Sequence, residues 1–78
     1  MVKIRKKDVE KNKISYYYMG DGETSEGVVS FYPLEDKFVV EKPSEAKYDA
    51  IYAQRASYAI YSFYQKDEFP EAFTVRCG

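Results

Sequence analysis

The fold is decided by residues 14–41, which read ISYYYMGDGETSEGVVSFYPLEDKFVVE. Three runs rich in aromatic and β-branched residues, 14–19, 28–32 and 37–41, are separated by a glycine- and carboxylate-rich loop and by a proline-containing turn. Aromatic and β-branched residues suit a half-buried pleated surface, whereas glycine, proline and aspartate favour turns. Because connections this short cannot hold a parallel crossover, the three predicted strands form an antiparallel meander.

A long helix is predicted after the meander, over about residues 45–66. This segment has no glycine or proline and includes five alanines, and Ser44 is placed to cap its first turn. Most of its apolar positions recur on one broad arc at the helical period, so we expect the helix to pack on one face of the sheet. The sequence therefore predicts an α+β fold, with an antiparallel β-meander and one long helix.

The two ends of the chain are each expected to add one strand to this meander, so the predicted sheet has three to five strands. Val2 and Ile4 alternate with Lys3 and Arg5, which favours a short N-terminal strand. Beyond the helix-breaking Pro70, residues 73–76 are expected to form one more short edge strand. With no internal repeat and no linker-like segment, residues 1–78 are interpreted as a single small domain.

Composition excludes most catalytic chemistries. The 78 residues contain no histidine and one cysteine, Cys77, so neither a Ser-His-Asp unit, an intramolecular disulfide nor a multi-thiolate zinc site can form. Gly20 and Gly22 follow a strand as in a dinucleotide-binding loop, but Ser25 replaces the third glycine. We therefore predict a non-enzymatic protein, with no catalytic residue, cofactor, metal or small-molecule substrate assigned.

Charge and hydropathy bear on partners and location. The formal net charge of −1 is not that of a typical nucleic-acid-binding protein, and no apolar run approaches the ~20 residues that span a membrane. We expect no membrane association. The single cysteine favours a reducing, cytoplasmic location.

The predicted helix carries a candidate protein interface. Ile51 and Tyr58 project into its otherwise polar arc beside Arg55, with Tyr61 at the edge of that arc. One interpretation is that the rings lie over the aliphatic stems of Lys and Arg side chains. The other is an interaction surface, since Tyr and Arg are enriched where proteins associate. We expect a protein partner, most simply a second copy in a homodimer.

The alternative function is nucleic-acid binding. Basic residues are concentrated near the N-terminus, and one helix leaves one face of the sheet uncovered. On this interpretation the basic segment contacts phosphates and tyrosines of the uncovered face stack on bases. The candidate phosphate contacts are Lys3, Arg5, Lys6 and Lys7.

Overall fold

The computed structural model describes residues 1–76 and has the α+β architecture that the sequence predicts. The elements, in chain order, are β1 (Val2–Glu10), β2 (Lys13–Gly20), β3 (Gly27–Tyr32), β4 (Lys37–Lys42), α1 (Asp49–Gln65) and β5 (Ala72–Val75). The strands form one sheet in the order β4-β3-β2-β1-β5, and every neighbouring pair is antiparallel. The predicted meander and the additional strand at each end of the chain are confirmed.

The first and last strands complete the sheet on one side. β1 is nine residues long and pairs with β2 along its length, with a register shift between Lys6 and Asp8. After α1 the chain returns to the sheet, where β5 pairs with the first half of β1. β4 and β5 are consequently the two edge strands.

The start of α1 differs from the prediction. The helix begins at Asp49 rather than at residue 45, and its N-cap residue is Tyr48, which makes no side-chain cap hydrogen bond. Ser44 is therefore not the N-cap. Its backbone N–H and its hydroxyl both donate to the Asp49 carboxylate, which also accepts the Tyr18 hydroxyl. These contacts hold residues 44–49 against β2 and displace the helix start by one turn, to Asp49.

The core lies between α1 and one face of the sheet, which we call the covered face. The covered face contributes large apolar side chains, and α1 contributes Ala53, Ala56 and Ile60. The small alanines let the helix backbone lie close to the strands, so the strand side chains fill most of the core volume. The buried strand residues are Val2, Ile4, Ile14, Tyr16, Tyr18, Val29 and Phe31.

Gly27 is a position of close approach within this core. A Cβ atom at Gly27 would overlap the Tyr18 ring. The two residues are cross-strand partners of β2 and β3, and the Tyr18 ring lies over the glycine backbone. A larger residue at position 27 is therefore incompatible with the observed place of that ring.

Candidate functional site

The opposite face of the sheet, which we call the open face, exposes less aromatic surface than nine tyrosines in the sequence suggest. Tyr16 and Tyr18 point to the covered face and are almost completely buried. Tyr17 lies between Tyr16 and Tyr18 in β2, and Tyr32 follows the buried Phe31 in β3, so both point to the open face. Both are half-buried there. Two strand tyrosines are thus core residues and are not available for stacking.

The two tyrosines of the open face each contact a charged side chain. The Arg5 guanidinium lies 4.1 Å from the centre of the Tyr17 ring and donates two hydrogen bonds, of 3.0 and 2.8 Å, to the Glu26 carboxylate. The Tyr32 hydroxyl donates a 2.6 Å hydrogen bond to Glu41. That hydrogen bond raises the pKa of Tyr32 and lowers the pKa of Glu41. Charged side chains therefore contact both tyrosines of this face.

The four candidate phosphate contacts do not form a continuous basic surface. Arg5 is paired with Glu26, Lys6 with Glu71 at 2.9 Å, and Lys7 with Asp8 at 3.4 Å. Only Lys3 of the four has no carboxylate within 4.0 Å among residues 1–76. These carboxylates pair with three of the four candidate phosphate contacts and so reduce the positive charge near the N-terminus.

A shallow groove crosses the open face between β5, β1 and β2. It encloses about 440 Å³ and is lined mainly by apolar surface, with Arg5 and Glu26 at one side. Because the Arg5–Glu26 pair satisfies both charges, the groove presents Lys3 as its available charge. Within residues 1–76, no three His, Cys, Asp or Glu side chains come together as they would around a metal ion. The other lining residues are Ile4, Met19, Ala72, Phe73 and Thr74.

The solvent side of α1 carries the most exposed aromatic groups of the helical region. Ile51 is 44% exposed and Tyr58 62% exposed, and Arg55 lies exposed between them. Tyr48, which is 54% exposed, extends the row by three residues. We call Tyr48, Ile51, Arg55 and Tyr58 the α1 patch.

The sequence identified three members of the α1 patch and missed one. Tyr48 precedes the first helical residue, and its ring lies in solvent instead of packing on the sheet. The signal that could have located it is its spacing of three from Ile51.

Tyr61 differs from the other candidate interface residues, because it is half-buried at the border of the core. Its ring packs edge-on against Phe31, with ring centres 5.6 Å apart, and lies 6.5 Å from Phe38 of β4. Tyr61 therefore joins the helix to the β4 side of the sheet and is separate from the α1 patch.

The helix leaves β4 largely uncovered. α1 packs across β1, β2, β3 and β5 and approaches β4 at Tyr61. On the covered face, Val40 is 44% exposed even though it pairs with the fully buried Val29. Apolar surface is consequently exposed on the edge strand β4 as well as at the α1 patch.

Comparisons with known proteins add no further constraint on the site. The only helix among the described residues is too short and too polar to cross a membrane. No protein-family model matches the chain, and no curated protein or solved structure does.

Proposed function

We propose that this protein is a small, non-enzymatic protein-interaction module that associates with a second copy of itself through the α1 patch. The observation that carries the proposal is the row of exposed Tyr48, Ile51 and Tyr58 on the side of α1 that faces away from the sheet. Neighbouring apolar groups in water are the usual mark of an interaction surface. The same reasoning favours a protein partner over a small-molecule substrate, and the proposed location is the cytoplasm.

The spacing of the patch suits a two-fold contact between antiparallel helices. With the axis between residues 54 and 55, Ile51 of one copy lies opposite Tyr58 of the other, and the pair occurs twice. Arg55 of each copy then starts next to the two-fold axis, and its long side chain can extend one helical turn to the Tyr58 ring of the second copy. A cation–π contact with that ring keeps the two guanidinium groups apart. A two-fold contact of this kind is self-complementary, because each copy supplies both members of every pair.

Nucleic-acid binding is the weaker candidate. The ion pairs of Arg5, Lys6 and Lys7 reduce the charge available to phosphate, and the buried Tyr16 and Tyr18 cannot stack on bases. If nucleic acid is nevertheless the partner, binding weakens steeply with added salt, whereas contacts of the α1 patch do not.

Light scattering after gel filtration, across a concentration series, tests the proposal. We expect the wild-type mass to exceed that of a monomer at high concentration. Ile51→Lys and Tyr58→Lys should each weaken this association about tenfold or more, as interface hot spots do. Leu34→Lys is the matched control, since Leu34 is an exposed apolar residue in the β3–β4 turn, outside the patch.

The outcomes distinguish association through the α1 patch from non-specific association. If Leu34→Lys weakens association as much as Ile51→Lys does, the association is non-specific and the α1 patch has no special role. A wild-type protein that stays monomeric at all concentrations contradicts self-association. In that case, NMR shifts at Val2–Glu10 on addition of a short DNA or RNA would support the nucleic-acid alternative.

A further inference from the structure

We propose that the edge strand β4 pairs antiparallel with β4 of a second copy, so that two five-stranded sheets join into one. β4 has one strand neighbour, β3, and therefore directs the backbone groups of its other side outward. In the described part of the chain, no backbone hydrogen bond of a turn or loop involves residues 37–42. This side of β4 is thus open to another strand.

The sequence of β4 is complementary to itself in one register. A two-fold axis perpendicular to the sheet keeps both helices on the same face of the joined sheet. It also pairs residues whose side chains point to the same face. With the axis at Val39, Phe38 lies opposite Val40 of the second copy, and Lys37 lies opposite Glu41. Apolar residues then meet on the covered face and opposite charges meet on the open face, which is the favourable form of each cross-strand pair.

The charged residues of these pairs, Lys37 and Glu41, lie on the open face near the two ends of β4. No carboxylate of residues 1–76 lies within 4.0 Å of Lys37, whose ammonium group is 5.5 Å from the centre of the Tyr32 ring. Glu41 lies on the open face like Lys37, accepts the Tyr32 hydroxyl through Oε1 and has Lys13 Nζ 4.0 Å from the same oxygen. Its carboxylate is partly exposed, so Lys37 of a second copy can add to these contacts. A second copy would thus provide Lys37 with its missing carboxylate.

The irregular end of β4 limits pairing to this register. The pairing with β3 shifts by one residue between Val40 and Lys42, which marks a bulge at Glu41. Shifting the axis by one residue towards the bulge places the charged Glu41 opposite the apolar Val39 on the open face. Lysines and bulges on edge strands generally discourage unselective strand addition. Here they leave the Val39-centred pairing as the one with matched neighbours.

The joined sheets also bring the apolar side chains of β4 from the two copies together. Since strands lie about 4.8 Å apart and α1 packs over β2 and β3, the two helices would lie on the order of 20 Å apart, roughly twice the usual distance between packed helices. Phe38 and Val40 from both copies lie on the sheet surface between the two helices, and Tyr61 of each helix borders this gap. Val40, exposed in the single chain, becomes part of a continuous apolar layer.

Pairing through β4 does not depend on the α1 patch, which faces away from the joined sheets. If both contacts form, their two-fold axes are perpendicular, and two joined sheets enclose a double layer of four helices. If the two axes also intersect, such an assembly closes as a tetramer with D2 symmetry. This tetramer, unlike the β4 pairing, rests on the proposed function of the α1 patch.

The test uses charge-swapped variants in an Ile51→Lys background, which removes the α1 contact. In this background we expect a concentration-dependent dimer. Adding Lys37→Glu places Glu opposite Glu41, and adding Glu41→Lys places Lys opposite Lys37, so each variant alone should dimerise at least about tenfold more weakly. An equimolar mixture restores both opposite-charge pairs and should recover the dimer. Far-UV circular dichroism verifies that each variant folds.

Several results would overturn the β4 pairing. One is an Ile51→Lys protein that remains monomeric at every concentration while the wild-type protein dimerises, which would leave the proposed function intact. Another is a mixture no more dimeric than its two components. If Glu41→Lys fails to fold, Val39→Lys takes its place, because it puts two lysines together on the two-fold axis and should give a monomer. A Val39→Lys protein that dimerises like its parent contradicts the proposal.

Discussion

The two faces of the sheet use the same residue type in opposite ways. Tyr16 and Tyr17 are adjacent in β2 and point to opposite faces. Tyr16 is 1% exposed beneath α1 and donates its hydroxyl to the Pro70 carbonyl at 2.8 Å. Tyr17 lies on the open face, where the Arg5 guanidinium covers its ring. A helix protects the first ring and a single ion-paired side chain protects the second.

This difference shows how aromatic side chains on both faces of the sheet are protected from solvent although the described residues form one helix. Long charged side chains on the open face replace a second layer, because their aliphatic and planar parts cover aromatic rings while their charges stay in water. Even Ser15 and Ser30 are buried there and share a 2.7 Å hydrogen bond. Exposed apolar side chains also lie at the α1 patch and on β4, where we propose that other copies bind.

The largest expected effect comes from truncating the two adjacent tyrosines. Tyr16→Ala leaves a cavity in the core and should lower the free energy of unfolding by about 3–5 kcal/mol. Tyr17→Ala removes a half-exposed ring and should cost clearly less. Urea unfolding of both variants measures the difference. Equal losses would show that the open face is as tightly packed as the covered face.

Glycine substitutions compare a packed position with an open one. Gly27→Ala forces the buried Tyr18 ring to move and should destabilise the protein by about 1–3 kcal/mol. At Gly22 a Cβ atom has open space, and the cost comes from its φ of +81°, about 1 kcal/mol. Thermal unfolding of the two variants gives the ranking. A Gly22→Ala protein less stable than Gly27→Ala would contradict the packing described for Tyr18.

Alkaline pH probes the covered face selectively. Burial, with a smaller contribution from Glu71, raises the pKa of Tyr16 to about 12, and burial with the Asp49 hydrogen bond raises the pKa of Tyr18 as well. Since the unfolded pKa is about 10, the stability from these neutral phenols is complete below pH 10 and lost as the pH rises towards the folded values. Stability measured against pH should therefore fall above pH 10, and less steeply in Tyr16→Phe. An unchanged slope in Tyr16→Phe would show that the Tyr16 phenol is not protected.

The smallest effect is expected from replacing Arg5, which lies over the Tyr17 ring on the open face. Arg5→Gln removes the ion pair with Glu26 and the cation above Tyr17, both at a solvent-exposed site. We expect a slight fall in melting temperature that shrinks in about 0.5 M NaCl, because salt screens exposed charges. Arg5→Lys, which keeps the charge but loses the planar guanidinium, separates charge from stacking. A loss as large as that of Tyr16→Ala would mean that Arg5 is part of the core.

Much of the fold follows from the sequence because it depends on local patterns. The alternation in β2, the turn chemistry of residues 33–36 and the alanine-rich, glycine-free helix each constrain the backbone nearby. The same applies to Ile51 and Tyr58, since helical spacing alone places both on the side away from the sheet. These features need no knowledge of distant residues.

Only the tertiary structure decided how charges and helix ends are used. The carboxylates that neutralise Arg5 and Lys6 lie 21 and 65 positions away, at Glu26 and Glu71, so the basic segment of the sequence is not a basic surface. Likewise, the contact of Asp49 with Tyr18, 31 residues earlier, keeps Ser44 from capping the helix. Periodicity records which way a side chain points, but an ion pair or cap depends on which distant group the fold brings within hydrogen-bonding distance.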